Sequence, residues 1–310
     1  MSNAQSPLVS VIILTYGSEK HIAPCLRGVA ASTWQPLEVV VADNASADAS
    51  IAIAQKTADD VGILIKVVPL QVNLGCAGGN NAGWWASRGE VLVFLNPDTE
   101  ITPSFIEELV RPLLDDRSIG ITGAKMYYPN SCILQHAGGI IYPNGMTGHH
   151  GIGREDTGDF DTPREVDYVT GAGFAMRREL IEQLGGFDEE YFPAYYEEVD
   201  LCVRARKLGK RVLYVPTAVM THHESVSLGS DSPALRRLYP RMRIQFCLKN
   251  YSVWQLVRHS VPFEVRWLLK EPGARGYRLQ QLHAYLANWR FVLRKVTGQN
   301  RRRTRSAKLP

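Results

Sequence analysis

Runs of apolar residues alternate with amphipathic stretches through the first 118 residues of the chain. Leu8–Leu14 is a nearly continuous, largely β-branched run, as expected of a strand buried on both faces of a parallel sheet. Similar apolar runs recur at 37–42, 63–68 and 90–95, and a helical pattern separates each run from the next. Strands that alternate with helices in this way predict βαβ units and a mainly parallel sheet.

The alternation weakens after residue 118. Short strands and turns rich in Gly and Asn fill 119–178, and the Gly-rich stretch 143–165 is typical of a mobile loop or lid. A helix is predicted at 197–208 and a strand at 211–215. From about residue 232 onward the pattern is helical, with aromatic residues placed between arginines.

These changes of pattern predict a domain organisation. Residues 1–7 are expected to be a disordered N-terminus or tag remnant. Residues 8–229 are expected to form one α/β domain with two halves, 8–118 and 119–229; the resemblance described below implies that the first half binds a nucleotide and the second an acceptor. Residues 230–310 form a C-terminal helical extension that ends in a basic tail.

Composition limits the classes of protein to which the chain can belong. A chain of 310 residues, 45% of them hydrophobic, allows one large α/β domain with an appendage. We find no signal-peptide pattern and no apolar stretch of the roughly 18 residues that a spanning helix needs. The 5 cysteines include no C-x-x-C pair, which disfavours a thiolate zinc site and fits a reducing cytosol. We therefore expect a cytoplasmic protein, either free or peripheral on the inner face of the cell membrane.

Polar residues directly follow three of the predicted strands. Thr15 and Tyr16 follow the first strand, Asp43 the second and Asp98 the fourth. Ligands of such sheets bind beyond the carboxyl ends of the strands. Asp98 can bind a hard cation there, such as Mg²⁺ or Mn²⁺, and Asp43 can accept a hydrogen bond from a pyrimidine base. A helix cap or Asx turn at Asp98 and a simple turn at Asp43 stay open as alternatives.

The stretch 73–83 packs four glycines and three asparagines into eleven residues. Glycine lets the backbone approach a ligand closely, and the free N–H groups at a helix start favour phosphate. The stretch matches neither the P-loop nor the G-x-G-x-x-G pattern. A tight loop with a closely packed helix is the alternative explanation.

Three acids, Glu197, Glu198 and Asp200, open the helix predicted at 197–208. Their fit to the helix dipole is one explanation, and Asp200 is spaced to pair with Arg204. A catalytic role instead requires one carboxylate to face the cleft and take a proton from an acceptor hydroxyl. Like-charge crowding and partial burial would raise its pKa toward a useful value.

The adjacent residues His222 and His223 follow the predicted strand at 211–215. In extended backbone their side chains point in opposite directions, so we expect at most one of them to bind a ligand. A neutral imidazole would complete a metal site at Asp98. A hydrogen-bonded surface histidine is the alternative.

The order of these pieces is more specific than any one of them. In chain order they are Val9–Tyr16, Asp43–Ser46, Asn73–Asn81, Asn96–Asp98, Gly171–Gly173, Gly185–Cys202 and His222. This series resembles the family 2 glycosyltransferases of GT-A fold, especially the bacterial rhamnosyltransferase-like branch, over most of the predicted α/β domain. The resemblance implies a Rossmann-like, mostly parallel central sheet flanked by helices.

The resemblance also implies a function. It is inverting transfer from a dTDP- or UDP-sugar to a hydroxyl of a glycan or lipid-linked acceptor, with Mg²⁺ or Mn²⁺, in cell-surface polysaccharide synthesis. The implied nucleotide-sugar contacts are Thr15, Tyr16, Asp43, Asn73, Gly75, Gly79, Asn81, Asn96 and Asp98. The implied metal ligands are Asp98 and His222, the acceptor contacts Gly171, Ala172 and Gly173, and the catalytic acids Glu198, Glu197 and Asp200. Glu198 stands at the position of the family's proposed base.

Three positions depart from the family pattern. Asn96 replaces the first carboxylate of the usual Asp-x-Asp. Gly17 stands where Asn often follows the tyrosine. Glu198 replaces the common Asp and adds one methylene of reach.

Two other functions are alternatives to sugar transfer. A nucleotidyltransferase would carry a Gly-rich, Arg- or Lys-bearing loop directly after the first strand, where this chain has Thr15–Lys20. A catalytically impaired sugar-nucleotide-binding scaffold of the same fold is the main alternative. For the basic C-terminal segment, membrane contact, packing on the catalytic domain and a homodimer all stay open, and we expect no nucleic-acid partner.

Overall fold

The computed structural model describes residues 6–223, 233–270 and 282–297. Its strands are β1 Val9–Thr15, β2 Leu37–Asp43, β3 Ile65–Pro69, β4 Val91–Leu95, β5 Thr99–Ile101, β6 Ile119–Tyr127, β7 Leu134–His136, β8 Gly139–Ile141, β9 Thr147–His149, β10 Arg164–Glu165, β11 Gly173–Arg177 and β12 Arg211–His222. Its helices are α1 Ile22–Ala30, α2 Ser50–Val61, α3 Gly75–Ala86, α4 Phe105–Asp115, α5 Arg178–Leu184, α6 Glu197–Lys207, α7 Pro233–Asn250, α8 Val253–Gln255, α9 Val261–Lys270, α10 over 282–287 and α11 Trp289–Val296. A π-helical turn, Leu256–Ser260, joins α8 to α9.

The central sheet has the strand order β10-β12-β6-β11-β4-β1-β2-β3. Strands β1 to β4 are mutually parallel, and β6 is parallel to β12. Strand β11 is antiparallel to both of its neighbours, β4 and β6, so the parallel strands on its two sides run in the same direction. The predicted mostly parallel sheet flanked by helices is therefore confirmed.

Strand β1 lies inside the sheet and is covered on both faces. Val9, Val11 and Ile13 belong to the core that also contains the apolar side chains of α1 and α4. On the opposite face α3 packs so closely that a Cβ on Gly83 would lie 2.5 Å from the Ile12 side chain. Burial on both faces explains why the sequence of β1 is a continuous apolar run rather than an alternating one.

Two compact units divide the described residues. The first comprises 6–139 and 149–223 and contains the central sheet, whereas the second comprises 140–148, 233–270 and 282–297. The predicted domain boundary at residues 229 and 230 lies outside the described residues and stays a prediction. In the three described ranges, every helix is too short or too polar to cross a bilayer.

One prediction about local structure is wrong. The strand predicted at 211–215 continues through Pro216 to His222, because its far end pairs with β5 and β6. The stretch 143–165 contains the short strands β9 and β10 and makes contacts in each unit, and its mobility stays a prediction. Asp156 accepts a hydrogen bond from the buried Lys125 Nζ at 2.7 Å in the first unit. The main-chain oxygen of Asn144 accepts one from Arg243 in the second.

Candidate active site

Five segments of the first unit meet at one edge of the central sheet. Strands β1, β2 and β4 end there at Thr15, Asp43 and the turn after Leu95, and β12 ends there at His222. Strand β11 runs the other way, so it begins at this edge with Gly173. The parallel sheet thus gathers residues that are up to 207 positions apart in the sequence.

Asp98 lies in the turn between β4 and β5, and His222 is the last residue of β12. The Nε2 atom of His222 is 3.3 Å from Oδ1 of Asp98, and the two side chains are 13% and 14% exposed. Oδ1 of Asp98 is buried and has no hydrogen-bond partner within the described residues. The turn itself is fixed, since the Thr99 hydroxyl donates to the main-chain oxygen of Asn96 at 2.7 Å.

This geometry suits two ligands of a single cation. Ligand atoms about 2.1 Å from an ion and at right angles to each other are about 3.0 Å apart, close to the observed separation. An octahedral Mg²⁺ or Mn²⁺ would keep positions for phosphate oxygens and water, which is the usual arrangement with one or two protein ligands. No cluster of three or more His, Cys, Asp or Glu side chains suited to a metal occurs in the described ranges. The helix-cap alternative for Asp98 is wrong, because β5 separates it from α4.

The two adjacent histidines point in opposite directions, as predicted. His222 faces Asp98, whereas the ring of His223 contacts Glu100, with Nε2 2.7 Å from Oε1. The main-chain N–H of His223 donates to the main-chain oxygen of Asp98 at 2.9 Å. His223 therefore fixes the turn. Of the two histidines, it is His222 that faces the candidate cation position.

Glu198 is connected to the Asp98 turn through β11. The main-chain N–H of Asn96 donates to the main-chain oxygen of Ala172 at 2.9 Å. The next residue back, Gly171, donates its main-chain N–H to Glu198, and a Cβ on Gly171 would lie 3.8 Å from the Glu198 side chain. The turn that carries Asp98 and the side chain of Glu198 thus contact two adjacent residues, Ala172 and Gly171.

Burial alters the acid chemistry of the glutamate pair. It raises the pKa of Glu198 to about 7, although hydrogen bonds from the main-chain N–H groups of Glu198, Val199 and Gly171 oppose the shift. Burial and the neighbouring Glu198 also raise the pKa of Glu197 well above its ordinary value. Glu197 accepts a hydrogen bond from the Cys76 thiol at the start of α3. The pair therefore lies between the Gly-rich segment and Gly171, and Glu198 is tuned for proton transfer near neutral pH.

The backbone that presents this pair is strained. Tyr195 and Tyr196 have φ angles of 75° and 73°, in the left-handed region that residues other than glycine rarely adopt. The preceding Pro193 accepts a hydrogen bond from the main-chain N–H of Cys76 at 2.8 Å. Such conformations cost about 1–3 kcal/mol each and persist only where surrounding contacts enforce them.

The glycines of the 73–83 stretch serve contacts within the protein. A Cβ on Gly75, whose φ is +72°, would lie 2.6 Å from the main-chain oxygen of Pro193. A Cβ on Gly79 would lie 2.3 Å from Leu14 of β1. The alternative of a tight loop with a closely packed helix explains why these two positions are glycine, and their contact with a ligand stays a prediction.

Three other predicted site residues have protein partners instead. Asn81 is fully buried, and its side chain bonds the main chain of Phe187, the Trp84 indole and Glu189. Asp200 is fully buried in an ion pair of 2.6 Å with Arg204. Asn73 accepts hydrogen bonds from the side chain of Asn44 and the main chain of Gly75. Asn73, Asn81 and Asp200 therefore position the site rather than face it, which corrects their assignment.

The residues expected to contact the base lie at the ends of β1 and β2. Tyr16 is half exposed, whereas Thr15 is fully buried and its hydroxyl has no hydrogen-bond partner in the described part of the chain. The Asp43 carboxylate accepts from the main-chain N–H of Ser46, which is the predicted turn. Only Tyr16 therefore has substantial exposed surface here.

Two residues at the site were not predicted. Asn44 bonds the main chain of Leu74 and Gly75 and fixes the start of α3. It directly follows Asp43, so its place in a predicted motif could have identified it. Gln135 contacts His222 from β7. No local signal marks Gln135, because the two residues are 87 positions apart.

Comparisons with known proteins agree with this geometry. The model of glycosyl transferase family 2 matches residues 10–185. An uncharacterized protein, y4gI, of Sinorhizobium fredii is 30% identical over 80% of this chain, and the chain spans 28% of its length. The N-acetylglucosaminyl-diphospho-decaprenol L-rhamnosyltransferase of Mycobacterium tuberculosis is 27% identical, and the match covers 94% of this chain and 99% of that enzyme. The predicted likeness to the rhamnosyltransferase branch is confirmed.

The fold has solved counterparts as well. The mannosyltransferase PcManGT of Pyrobaculum calidifontis, in complex with GDP-Man and Mn²⁺, matches with a TM-score of 0.59 at 18% identity. The match covers 96% of this chain and 80% of that chain. The GT-A fold is therefore confirmed. Because the family model matches more than half of its residues, the chain belongs to glycosyl transferase family 2.

Proposed function

We propose that this chain transfers a sugar from a dTDP- or UDP-sugar to a hydroxyl of a glycan or lipid-linked acceptor during cell-surface polysaccharide synthesis. The observation that carries the proposal is that both candidate groups are connected to the segment Gly171–Gly173. Asp98 and His222 are arranged like cation ligands, and the turn that carries Asp98 bonds Ala172, while Glu198, with a raised pKa, bonds the adjacent Gly171. Family membership supports the reaction class, and the rhamnosyltransferase relative supports a lipid-linked acceptor.

The proposed reaction is a single inverting displacement. The acceptor oxygen forms a bond to the anomeric carbon of the sugar while its proton passes to the Glu198 carboxylate. The bond from that carbon to the diphosphate oxygen breaks, and the nucleoside diphosphate leaves with the electron pair. A base with a pKa of about 7 is half ionised at neutral pH and can take the proton efficiently.

The leaving diphosphate needs positive charge. A divalent cation, Mg²⁺ or Mn²⁺, supplies that charge when bound. Asp98 and His222 would hold it, and the single carboxylate leaves room for phosphate oxygens. The Mn²⁺ in the mannosyltransferase structure supports a divalent cation for this chain as well. The resemblance implies that Thr15 and Asp43 hold the base and ribose, and because Thr15 is fully buried we propose the half-exposed Tyr16 in its place beside Asp43.

Nucleotide release tests the proposal directly. The assay would combine Mn²⁺ with dTDP-L-rhamnose, UDP-glucose, UDP-galactose or UDP-N-acetylglucosamine, and with short-chain lipid-diphosphate sugars as acceptors. We expect one donor and acceptor pair to give transfer that disappears with EDTA and in the Asp98→Asn and Glu198→Gln variants. Donor binding without turnover across all acceptors would contradict the proposal and favour the sugar-nucleotide-binding scaffold.

We also propose that the second unit contacts an anionic membrane surface, where a lipid-linked acceptor would lie. Exposed apolar residues follow helical spacing along α8, the π-helical turn and α9: Val253, Trp254, Val257, Val261 and Val265. A second such series follows α10 and α11: Leu282, Leu286, Trp289, Leu293 and Val296. Exposed Arg258, Arg266 and Arg290 directly follow members of these series. Apolar faces bordered by arginine are typical of helices that lie in a membrane interface.

The charge distribution supports an anionic surface. Residues 230–310 contain 18 of the 35 Lys and Arg residues but only 3 of the 31 Asp and Glu residues. The rest of the chain is correspondingly acidic. Each basic residue near an anionic membrane surface contributes about 1 kcal/mol of attraction. A homodimer through the same apolar faces is the competing proposal.

A further inference from the structure

Gln135 is a buried polar residue beside the candidate cation site. It is the middle residue of β7, which pairs with β6, and it is 4% exposed. The Oε1 atom of Gln135 lies 2.8 Å from Nδ1 of His222, and its Nε2 lies 3.5 Å from the main-chain oxygen of the same residue. One amide side chain therefore contacts both the ring and the backbone of His222.

These two contacts fix which His222 nitrogen carries a proton. The main-chain oxygen of His222 can only accept, so the amide N–H₂ of Gln135 must face it. The amide oxygen must then face Nδ1, and since that oxygen also only accepts, Nδ1 must carry the hydrogen. In this tautomer Nε2, which lies 3.3 Å from Asp98 Oδ1, carries no hydrogen and is free to act as a ligand atom.

We propose that Gln135 is a positioning residue that holds His222 in the Nδ1–H tautomer, so that Nε2 and Asp98 can bind a divalent cation together. The inference rests on the proposed function, because it concerns the same cation site. Two acceptor atoms at 3.3 Å repel each other unless positive charge lies between them. Hydrogen bonds of this kind, made to the far nitrogen of a ligating histidine, set ring orientation and basicity in metal sites.

The tautomer can be measured without any metal or substrate. In ¹⁵N NMR of the metal-free protein, we expect the His222 ring to be protonated at Nδ1, with the signals assigned by their loss in His222→Ala. Gln135→Leu should lose this preference, whereas Gln183→Leu, at an exposed position of α5, should keep it. An Nε2–H tautomer in the unaltered protein would overturn the inference.

Cation affinity provides a second readout. Binding of Mn²⁺ in the presence of UDP can be followed by the loss of the free-ion EPR signal. We expect Gln135→Leu to weaken binding about 10–100-fold. Gln135→Glu should weaken binding less than Gln135→Leu does, because its carboxylate still accepts the Nδ1–H although it cannot donate to the main-chain oxygen of His222. Thermal unfolding of each variant checks that it is folded.

A double variant separates positioning from general damage. If Gln135 acts through His222, adding Gln135→Leu to His222→Ala should weaken Mn²⁺ binding no further. Two results would overturn the inference. One is that Gln135→Leu weakens Mn²⁺ binding as much in the His222→Ala variant as in the unaltered protein. The other is that Gln135→Leu alone leaves the Mn²⁺ affinity unchanged. If the unaltered protein bound no Mn²⁺ with UDP, the proposed cation site would fail, and the NMR result would still decide the role of Gln135.

Discussion

At the residue scale, the site depends on a few side chains whose surroundings differ from those of ordinary surface residues. Asp98 Oδ1 is buried without a hydrogen bond in the described residues, although such atoms are usually satisfied. Glu198 has a pKa near neutrality, and Glu197 is shifted in the same direction. A cation bound at Asp98 would account for its buried, unbonded oxygen. A transferable proton on Glu198 would account for its raised pKa.

Replacing Asp98 by Asn tests the first feature. The variant keeps the size of the side chain and removes its negative charge. We expect the transfer rate to fall about 100–1,000-fold, because the charge on the leaving diphosphate loses its stabilisation. Asp59→Asn, at an exposed position of α2, should leave the rate unchanged in the same nucleotide-release assay. Equal rates for Asp98→Asn and the unaltered protein would exclude a role in the reaction.

The pH dependence of the rate tests the second feature. The proposed base must be ionised, so kcat/KM should rise with pH and level off above an apparent pKa of about 7. Glu198→Gln should lower the rate about 100–10,000-fold. A profile that is flat from pH 5 to 9 with a reactive Glu198→Gln variant would contradict the assignment of the base.

The same shift predicts an effect on stability. Folding raises the pKa of Glu198 from 4.5 to about 7, so the folded state binds the proton more tightly than the unfolded chain does. This contribution to stability is complete below about pH 4.5 and is lost as the pH rises through 7. At pH 8.5 we expect Glu198→Gln to be about 1–3 kcal/mol more stable than the unaltered protein, measured by urea unfolding. A variant that is less stable at this pH would contradict the shift.

At the scale of elements, the repeating pattern of apolar residues predicts most of the strands and helices of the fold. Strands β1, β2 and β4 were predictable to within a residue or two, because burial on both faces requires continuous apolar runs. The continuation of β12 to His222 was not predictable, since Pro216 interrupts the run and only pairing with distant β5 and β6 extends it. Motif order identified Asp98, Glu198 and His222 as site candidates. It assigned Asn81 wrongly, because its partners Phe187 and Glu189 become neighbours only through tertiary packing, whereas the pairing of Asp200 with Arg204 was predictable from their spacing.

A pair of glycine variants tests how α3 supports the glutamate pair. Gly75 and Gly62 have nearly the same φ, +72° and +71°, but only Gly75 has a neighbouring backbone oxygen where a Cβ would lie. Gly75→Ala should destabilise the protein more than Gly62→Ala, by about 1–3 kcal/mol in urea unfolding. It should also lower kcat, because the displaced Pro193 segment leads directly to Glu197. Equal effects of the two variants would show that the contact with Pro193 is unimportant.

At the scale of the whole molecule, the chain combines an acidic catalytic part with a basic C-terminal part. A vesicle-flotation assay tests the proposed membrane contact. We expect the protein to float with vesicles that contain phosphatidylglycerol, less well with pure phosphatidylcholine, and less well at high salt. Trp254→Gln combined with Trp289→Gln should weaken binding at least about tenfold, since each indole buries a large apolar surface.

The control for flotation comes from the first unit. Leu64 and Val72 are 94% and 60% exposed, so Leu64→Gln combined with Val72→Gln removes exposed apolar surface from the first unit instead of the second. Because both substitutions lie in the first unit, this control should float like the unaltered protein if the second unit makes the contact. Absence of flotation, together with a concentration-dependent dimer in ultracentrifugation that the tryptophan variant abolishes, would favour the homodimer instead.

The most direct test of the account is the position of the cation. Anomalous diffraction from crystals grown with Mn²⁺ and UDP would locate the ion independently of any activity. We predict one strong peak between Asp98 Oδ1 and His222 Nε2, with the diphosphate of UDP beside it. Bound UDP with manganese at a different position, or with none near Asp98, would contradict the account.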